Sequence, residues 1–140
     1  MKRKITMCLV IIVTMMAVWG CNNESAILRS AKSEIETTYS QGIEIIEAYY
    51  NEEDAKCYVT FSANGIKDEA LVDFKEDKVS YMSLNDKYTA EANRYRELGN
   101  QSMCKEYANK ALEHLDVVLC RYNISKGTKE NNYNGWEKIR

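Results

Sequence analysis

Cys57-Tyr58-Val59-Thr60-Phe61-Ser62 is followed by the dipeptide Asn64-Gly65, then by Ala70-Leu71-Val72-Asp73-Phe74 and Val79-Ser80-Tyr81-Met82. In the first run Cys57, Val59 and Phe61 alternate with Tyr58, Thr60 and Ser62, the period of two that marks a half-buried strand. Asn64-Gly65 marks a turn, the second run reads as a second strand, and Lys75 to Lys78 form a polar turn into a third. Connections this short make an antiparallel meander. Three strands are not stable alone and need a helix over one face. The flanking sequence therefore decides the fold class.

Both flanks read as helical. From Ser25 to Tyr50, the residues Leu28, Ala31, Ile35, Tyr39, Gly42, Ile43, Ile46, Tyr49 and Tyr50 recur at three- and four-residue steps, which predicts one long amphipathic helix. Lys32 intrudes on its apolar arc and implies a partly exposed seam. Gly42 in mid-helix costs ~1 kcal/mol against alanine, so a bend or close packing is expected there. Downstream, Tyr88, Ala92, Tyr95 and Leu98 share a face of a helix that Asn85 or Asp86 can cap, and Gly99 suits its C-terminal end. A further helix is expected from Gln101 to Tyr122, with Cys104, Tyr107, Ala108, Ala111, Leu112, Leu115, Val118, Leu119 and Tyr122 in one arc. The predicted fold class is α+β, with an N-terminal long helix, a three-stranded antiparallel meander and a C-terminal helical hairpin covering one face. A mostly α bundle with a small β-hairpin is the alternative.

Tyr88, Ala92, Tyr95, Gly99, Cys104, Ala108 and Ala111 stand near the small and aromatic positions of a tetratricopeptide repeat, so this quarter of the chain resembles one such hairpin. The repeat's closing proline is absent, Cys104 stands where alanine is usual, and no second copy follows, whereas a solenoid needs about three. The segment is read as an antiparallel hairpin only.

At the other end, Lys2, Arg3 and Lys4 precede an apolar run from Ile5 to Trp19 and then Gly20 and Cys21. This is the charged, hydrophobic and small-residue order of an export signal. Val18-Trp19-Gly20-Cys21 resembles the lipobox of bacterial lipoproteins, with Trp19 departing from the small residue usual there. The resemblance implies that residues 1–20 are cleaved, that Cys21 is the lipidation site, and that palmitate-type acyl chains hold the protein in a membrane. A spanning anchor and a soluble secreted product are the alternatives. The apolar run, at 15 residues, is shorter than the ~20 a spanning helix needs, and Cys21 directly after Gly20 argues against both. The implied location is the cell envelope, extracytoplasmic. Asn22 stands where some Gram-negative lipoproteins carry an inner-membrane retention aspartate, which favours the outer membrane.

The expected organisation is thus a signal over 1–20, one small mature domain over 21–122 tethered by Cys21, and a polar, aperiodic tail over 123–140 that reads as disordered, with a contact arm anchored by Trp136 as the alternative. Of the 19 Lys+Arg, three leave with the signal, so 16 face 21 Asp+Glu, a net −5. Such a body carries no basic stripe for nucleic acid. Proline is absent and glycine sparse, so no linker divides it.

Candidate chemistry is sparse. Cys57, Cys104 and Cys120 remain after processing, and an oxidising compartment favours pairing. Cys104 and Cys120 lie ~24 Å apart along one helix, beyond the ~7 Å a disulfide allows between Cα atoms. Cys57–Cys104 is therefore the favoured bridge if one forms, with Cys120 on the polar side of its helix. Three reduced thiols are the equal alternative. His114, the only histidine, has no Cys-x-x-Cys or spaced histidine to accompany it, so no metal site is expected. No nucleophile motif, phosphate loop or cofactor motif occurs. Glu52-Glu53-Asp54 and Asp68-Glu69 fall in expected turns, where acids are usually solvated.

These features imply no enzyme and no cofactor. The expectation is a non-catalytic protein-interaction or assembly module of the envelope, held to the membrane and partnered by another envelope protein. A small-ligand-binding lipoprotein with a pocket between sheet and helices is the rival, and a small envelope hydrolase built on paired carboxylates is the third reading.

Overall fold

A computed structural model describes residues 23–129 and 135–140. The signal segment, the lipobox and Cys21 lie outside the described residues. The element order is α1 (Asn23–Thr38), β1 (Glu44–Asn51), β2 (Lys56–Ala63), β3 (Ile66–Asp73), β4 (Lys78–Tyr81), α2 (Met82–Glu97), α3 (Gln101–Leu112), α4 (Leu115–Lys129) and β5 (Glu137–Lys138). The five strands form one antiparallel sheet in the order β4-β3-β2-β1-β5. The class is α+β, but the expected three-stranded sheet has five strands, and the expected frame of one long helix and a terminal hairpin is replaced by four helices.

The first correction concerns residues 25–50. The helix ends at Thr38, where the hydroxyls of Thr37 and Thr38 donate to the carbonyls of Ser33 (2.8 Å) and Glu34 (3.3 Å). Gln41 Nε2 donates to the Glu36 carbonyl at 3.1 Å, and Glu36 in turn accepts from Gly42 N–H at 2.6 Å. The Gln41 contact satisfies a carbonyl that the helix end leaves open. Gly42 takes φ +72, so it turns the chain rather than bending a helix. Residues 44–51 become β1. Their three- and four-residue apolar spacing is an accident of a strand buried on both faces and carrying a bulge. Ile45 pairs with Phe61 and Glu47 with Thr60, which leaves Ile46 as the extra, 42% exposed residue and shifts the alternation by one. Ile, Tyr and Val are also strand formers.

The sheet is covered on both faces. Against one face, Ile27, Ala31 and Ile35 of α1 pack on Ile45, Ala48, Tyr50, Cys57, Val59, Phe61, Ala70, Val72 and Tyr81. Against the other, Val117, Cys120 and Ile124 of α4, with Met82 and Trp136, pack on Tyr49, Tyr58 and Leu71. Tyr39 closes the first core edge-on to Phe61, ring centroids 5.0 Å apart.

The second correction concerns 101–122. The expected single helix breaks at Glu113 and His114, which no Gly or Pro would cause. Tertiary contacts do it: Tyr81 N–H donates to His114 Nδ1 at 3.0 Å, and Asn85 Nδ2 donates to the Ala111 carbonyl at 3.0 Å. It is α4, not the hairpin, that covers the sheet. The helix also runs past Tyr122 to Lys129, and beyond residues 130–134 the chain returns as β5. Trp136 is there only 6% exposed, so the expected polar tail contributes to the core.

Candidate functional site

The α2–α3 pair forms an arm rooted on the sheet. Its helices bury little aliphatic surface, Ala92 and Ala111 being its fully buried residues beside Met82 at the root. Its seam is aromatic instead. Tyr81 and His114 lie 6.3 Å apart by ring centroids, His114 and Tyr88 6.0 Å, Tyr88 and Tyr107 6.2 Å, and Tyr107 and Tyr95 5.5 Å in a stack. Arg94 lies over Tyr95 at 4.4 Å and Lys110 over Tyr107 at 4.6 Å, where a cation meets the negative face of each ring. Tyr81, Tyr88 and Tyr95, seven residues apart, thus belong to one ladder that starts in a strand and continues along a helix.

The arm is fastened at its root by Asp68. Its Oδ1 accepts from Ser83 N–H at 3.1 Å and from Glu69 N–H at 2.8 Å, and Ser83 Oγ donates to Oδ2. A β3 carboxylate therefore serves the first turn of α2, a place where backbone N–H groups lack partners and negative charge is favoured. The expected caps Asn85 and Asp86 do not perform this, and the α2 N-cap has no side-chain bond of its own. Sequence reading put Asp68 and Glu69 in a solvated turn. Both lie in β3, and Asp68 is 7% exposed. Alternation with Leu71 and Ala70 over residues 66–73 was the signal that could have placed them.

Glu69 belongs to a second constellation. Glu47, Thr60 and Glu69 stand side by side across β1, β2 and β3, so the two acids' Cα atoms lie ~10 Å apart, two strand spacings. Tyr49 Oη donates to Glu47 Oε1 at 2.6 Å, and Tyr58 Oη donates to Glu69 Oε1. Lys138 Nζ lies 3.4 Å from Glu47, and Arg121 Nη1 3.5 Å from Glu69. Burial, then the bond to Glu69, pushes the Tyr58 hydroxyl well above the ordinary phenol range. The cleft between these groups and α4 measures about 380 Å³. Each carboxylate is already engaged by a phenol and a cation, Glu69 through both oxygens and Glu47 through Oε1.

The outward side of α4 has a different character. At 100° per residue, Leu115, Leu119 and Tyr122 point about 170° from Val117, Cys120 and Ile124. Leu119 is 51% and Tyr122 66% exposed, and Leu112 before the break is 60% exposed. These are four residues of the arc expected to form the core. The break at 113–114 turns α4 so that its other side meets the sheet, and the apolar arc is left in solvent. Cys120 consequently moves from the expected polar side into the core.

Cys57, Cys104 and Cys120 are free thiols in the structure. Cys57 is sealed beneath α1, and burial pushes its thiol up to about 12; burial likewise pushes Cys120 up to about 11. Cys104, the other half of the expected bridge, is half-buried on α3, a helix that packs mainly on α2. His114 is occupied by Tyr81 N–H, and among the described residues no three His, Cys, Asp or Glu converge as metal ligands. Among the same residues no helix is long and apolar enough to cross a membrane. Comparison with protein-family models, with curated proteins and with solved structures finds no match for this chain.

Proposed function

We propose that this chain is a bacterial envelope lipoprotein, acylated at Cys21, whose folded body docks another envelope protein without catalysing a reaction. The observation that carries the docking reading is the solvent side of α4, where exposed Leu119 and Tyr122, with half-buried Leu115 beside them, form an apolar face that the protein's own sheet leaves uncovered. An exposed aromatic and aliphatic patch of this kind marks a protein contact. The rival, a ligand-binding lipoprotein, calls for an apolar pocket between sheet and helices. The cleft beneath α4 has Glu47, Glu69 and Arg121 in its lining, and both acids are engaged by phenols and cations, which favours the docking reading. The lipobox resemblance of Val18-Trp19-Gly20-Cys21 supports the anchor and the extracytoplasmic location.

The test is photo-crosslinking in the native envelope with a photoreactive residue at Leu119, and at exposed Lys67 as control. One protein captured from Leu119 but not Lys67, and lost in Leu119→Glu/Tyr122→Glu, is the expected result. No protein captured from Leu119 would sink the docking reading. Intact mass with the Cys21→Ser form reads the anchor separately.

A further inference from the structure

A groove of about 600 Å³ runs between α1 and the start of β1. Leu28, Ile43 and Ile45 supply its apolar wall, and Arg29, Lys32 and Arg140 supply three cations, with Glu44 the one acid among its lining. Among the described residues none of these three basic side chains has an ion pair, although six pairs form elsewhere. Arg140 is brought there by the return of the chain: Ile139 N–H donates to the Ala48 carbonyl at 2.9 Å, and Ala48 N–H to the Arg140 carbonyl at 3.1 Å. The net −5 of the body thus coexists with a local net of +2 in one groove.

The groove's position gives the occupant. Helix α1 starts at Asn23, two residues after Cys21. Arg29 and Lys32 are then ~9 and ~14 Å along the helix from Asn23, so with α1 lying along the membrane surface both stand level with the headgroups beside the tether. Leu28, Arg29 and Lys32 fall within about 100° of one another, with Leu28 at the edge of the core and Arg29 and Lys32 exposed beside it. Long basic side chains beside an apolar wall are the arrangement that lets stems rest on apolar surface while the charges meet phosphates. A guanidinium suits a phosphate through two parallel bonds.

We infer that this groove binds the phosphate-bearing headgroup of an anionic membrane lipid and so lays α1 against the bilayer to which Cys21 is attached. The inference rests on the lipoprotein reading. It gives Lys32, whose intrusion on an apolar arc has no other role in the fold, a partner outside the chain. It also fixes the body's orientation, because a headgroup held at two points of α1 prevents rotation about the tether.

The experiment uses the full chain, matured in a lipoprotein-exporting host and reconstituted into vesicles of phosphatidylcholine alone or with phosphatidylglycerol. Hydrogen exchange of residues 27–35 and 43–45 is followed in the wild type and in Arg29→Glu/Lys32→Glu, whose exposed positions leave the core intact. The expected result is exchange slowed severalfold only with phosphatidylglycerol, and lost in the double variant. Equal exchange in both vesicles, or protection that survives charge reversal, overturns the inference. So does the same protection from inorganic phosphate without vesicles, which would make the groove a site for the free ion. The mass at Cys21 separates the two readings: an acylated chain without protection removes the groove alone. An unacylated chain that is still protected only by phosphatidylglycerol removes the anchor alone.

Discussion

Replacing Trp136 by alanine tests whether the C-terminal return is part of the folded body. The indole is 6% exposed and packs with Tyr49, Tyr58, Leu71 and Val117, while only Tyr49↔Lys138 and Tyr50↔Glu137 pair β5 with β1. Burying an aromatic side chain removes ~200 Å² from water, worth ~5 kcal/mol at ~25 cal/mol per Å². Alanine retains part of this and the short β5 can peel away instead of leaving a cavity, so the expected loss is ~3 kcal/mol. With a urea slope of ~1.5 kcal/mol/M for a domain of this size, the midpoint followed by far-ultraviolet circular dichroism should fall by ~2 M. With residues 1–20 cleaved as proposed, Trp136 is the one tryptophan left, since the other is Trp19. Wild-type fluorescence should therefore be blue-shifted when folded and change together with the dichroism. A native emission typical of wet indole, or a midpoint shift under ~0.3 M, refutes the docking of residues 135–140.

Other outcomes follow from single contacts. Burial holds the His114 imidazole below its ordinary 6.5, with Lys78 acting in the same direction and Glu113 and Asp68 against it. The folded state thus binds this proton less readily than the unfolded one, so the ring's contribution is complete above about 6.5 and fades as pH falls through the folded value. Thermal melts between pH 8 and pH 5 should show a shallower decline in His114→Ala than in the wild type, with the variant less stable at pH 8 by ~1–3 kcal/mol for the orphaned Tyr81 N–H. Thiol labelling of the native protein by iodoacetamide should modify Cys104 first and reach Cys57 and Cys120 only in urea, because thiolates react and burial suppresses them. Mass spectrometry reads the order, and fast modification of Cys57 would contradict its sealed position. Ala55 sits at φ +51 in the β1–β2 turn, where a side chain costs ~1 kcal/mol. Ala55→Gly should raise the melting temperature by a few degrees, and a lower one would refute that strain.

Residues 57–63 and 70–73 were legible because β2 alternates and Asn64-Gly65 announces its turn, but the first half of β3 read as part of that turn. Residues 44–50 were not legible. Their apolar spacing matches a helix as well as a two-sided strand with a bulge at Ile46, and only the pairing with β2 separates the two. The break before α4 was equally hidden, since it comes from Tyr81 and Asn85, about thirty residues upstream. That single break decides which side of 115–124 is core, so the candidate docking face was visible as an apolar arc but assigned to the interior. Trp136 stands in a segment that reads as a polar tail, because nothing local announces a two-residue strand. The Glu47–Thr60–Glu69 row required the register, which no single segment contains.

The arm's root has a mechanical consequence. Along the arm the Tyr81–His114–Tyr88–Tyr107–Tyr95 ladder stiffens about 16 residues of α2, a rod of ~24 Å. At the root, the rod meets the sheet through Met82 and two polar fastenings, Asp68 to Ser83 and His114 to Tyr81. Bending is thereby concentrated at one end while the length stays fixed, as in a lever on a pivot. On the proposed anchor, a body whose first helix starts two residues after Cys21 has little freedom to search for anything. Such a lever would give it a swept volume, with Leu98, 68% exposed at the far tip, describing the widest arc.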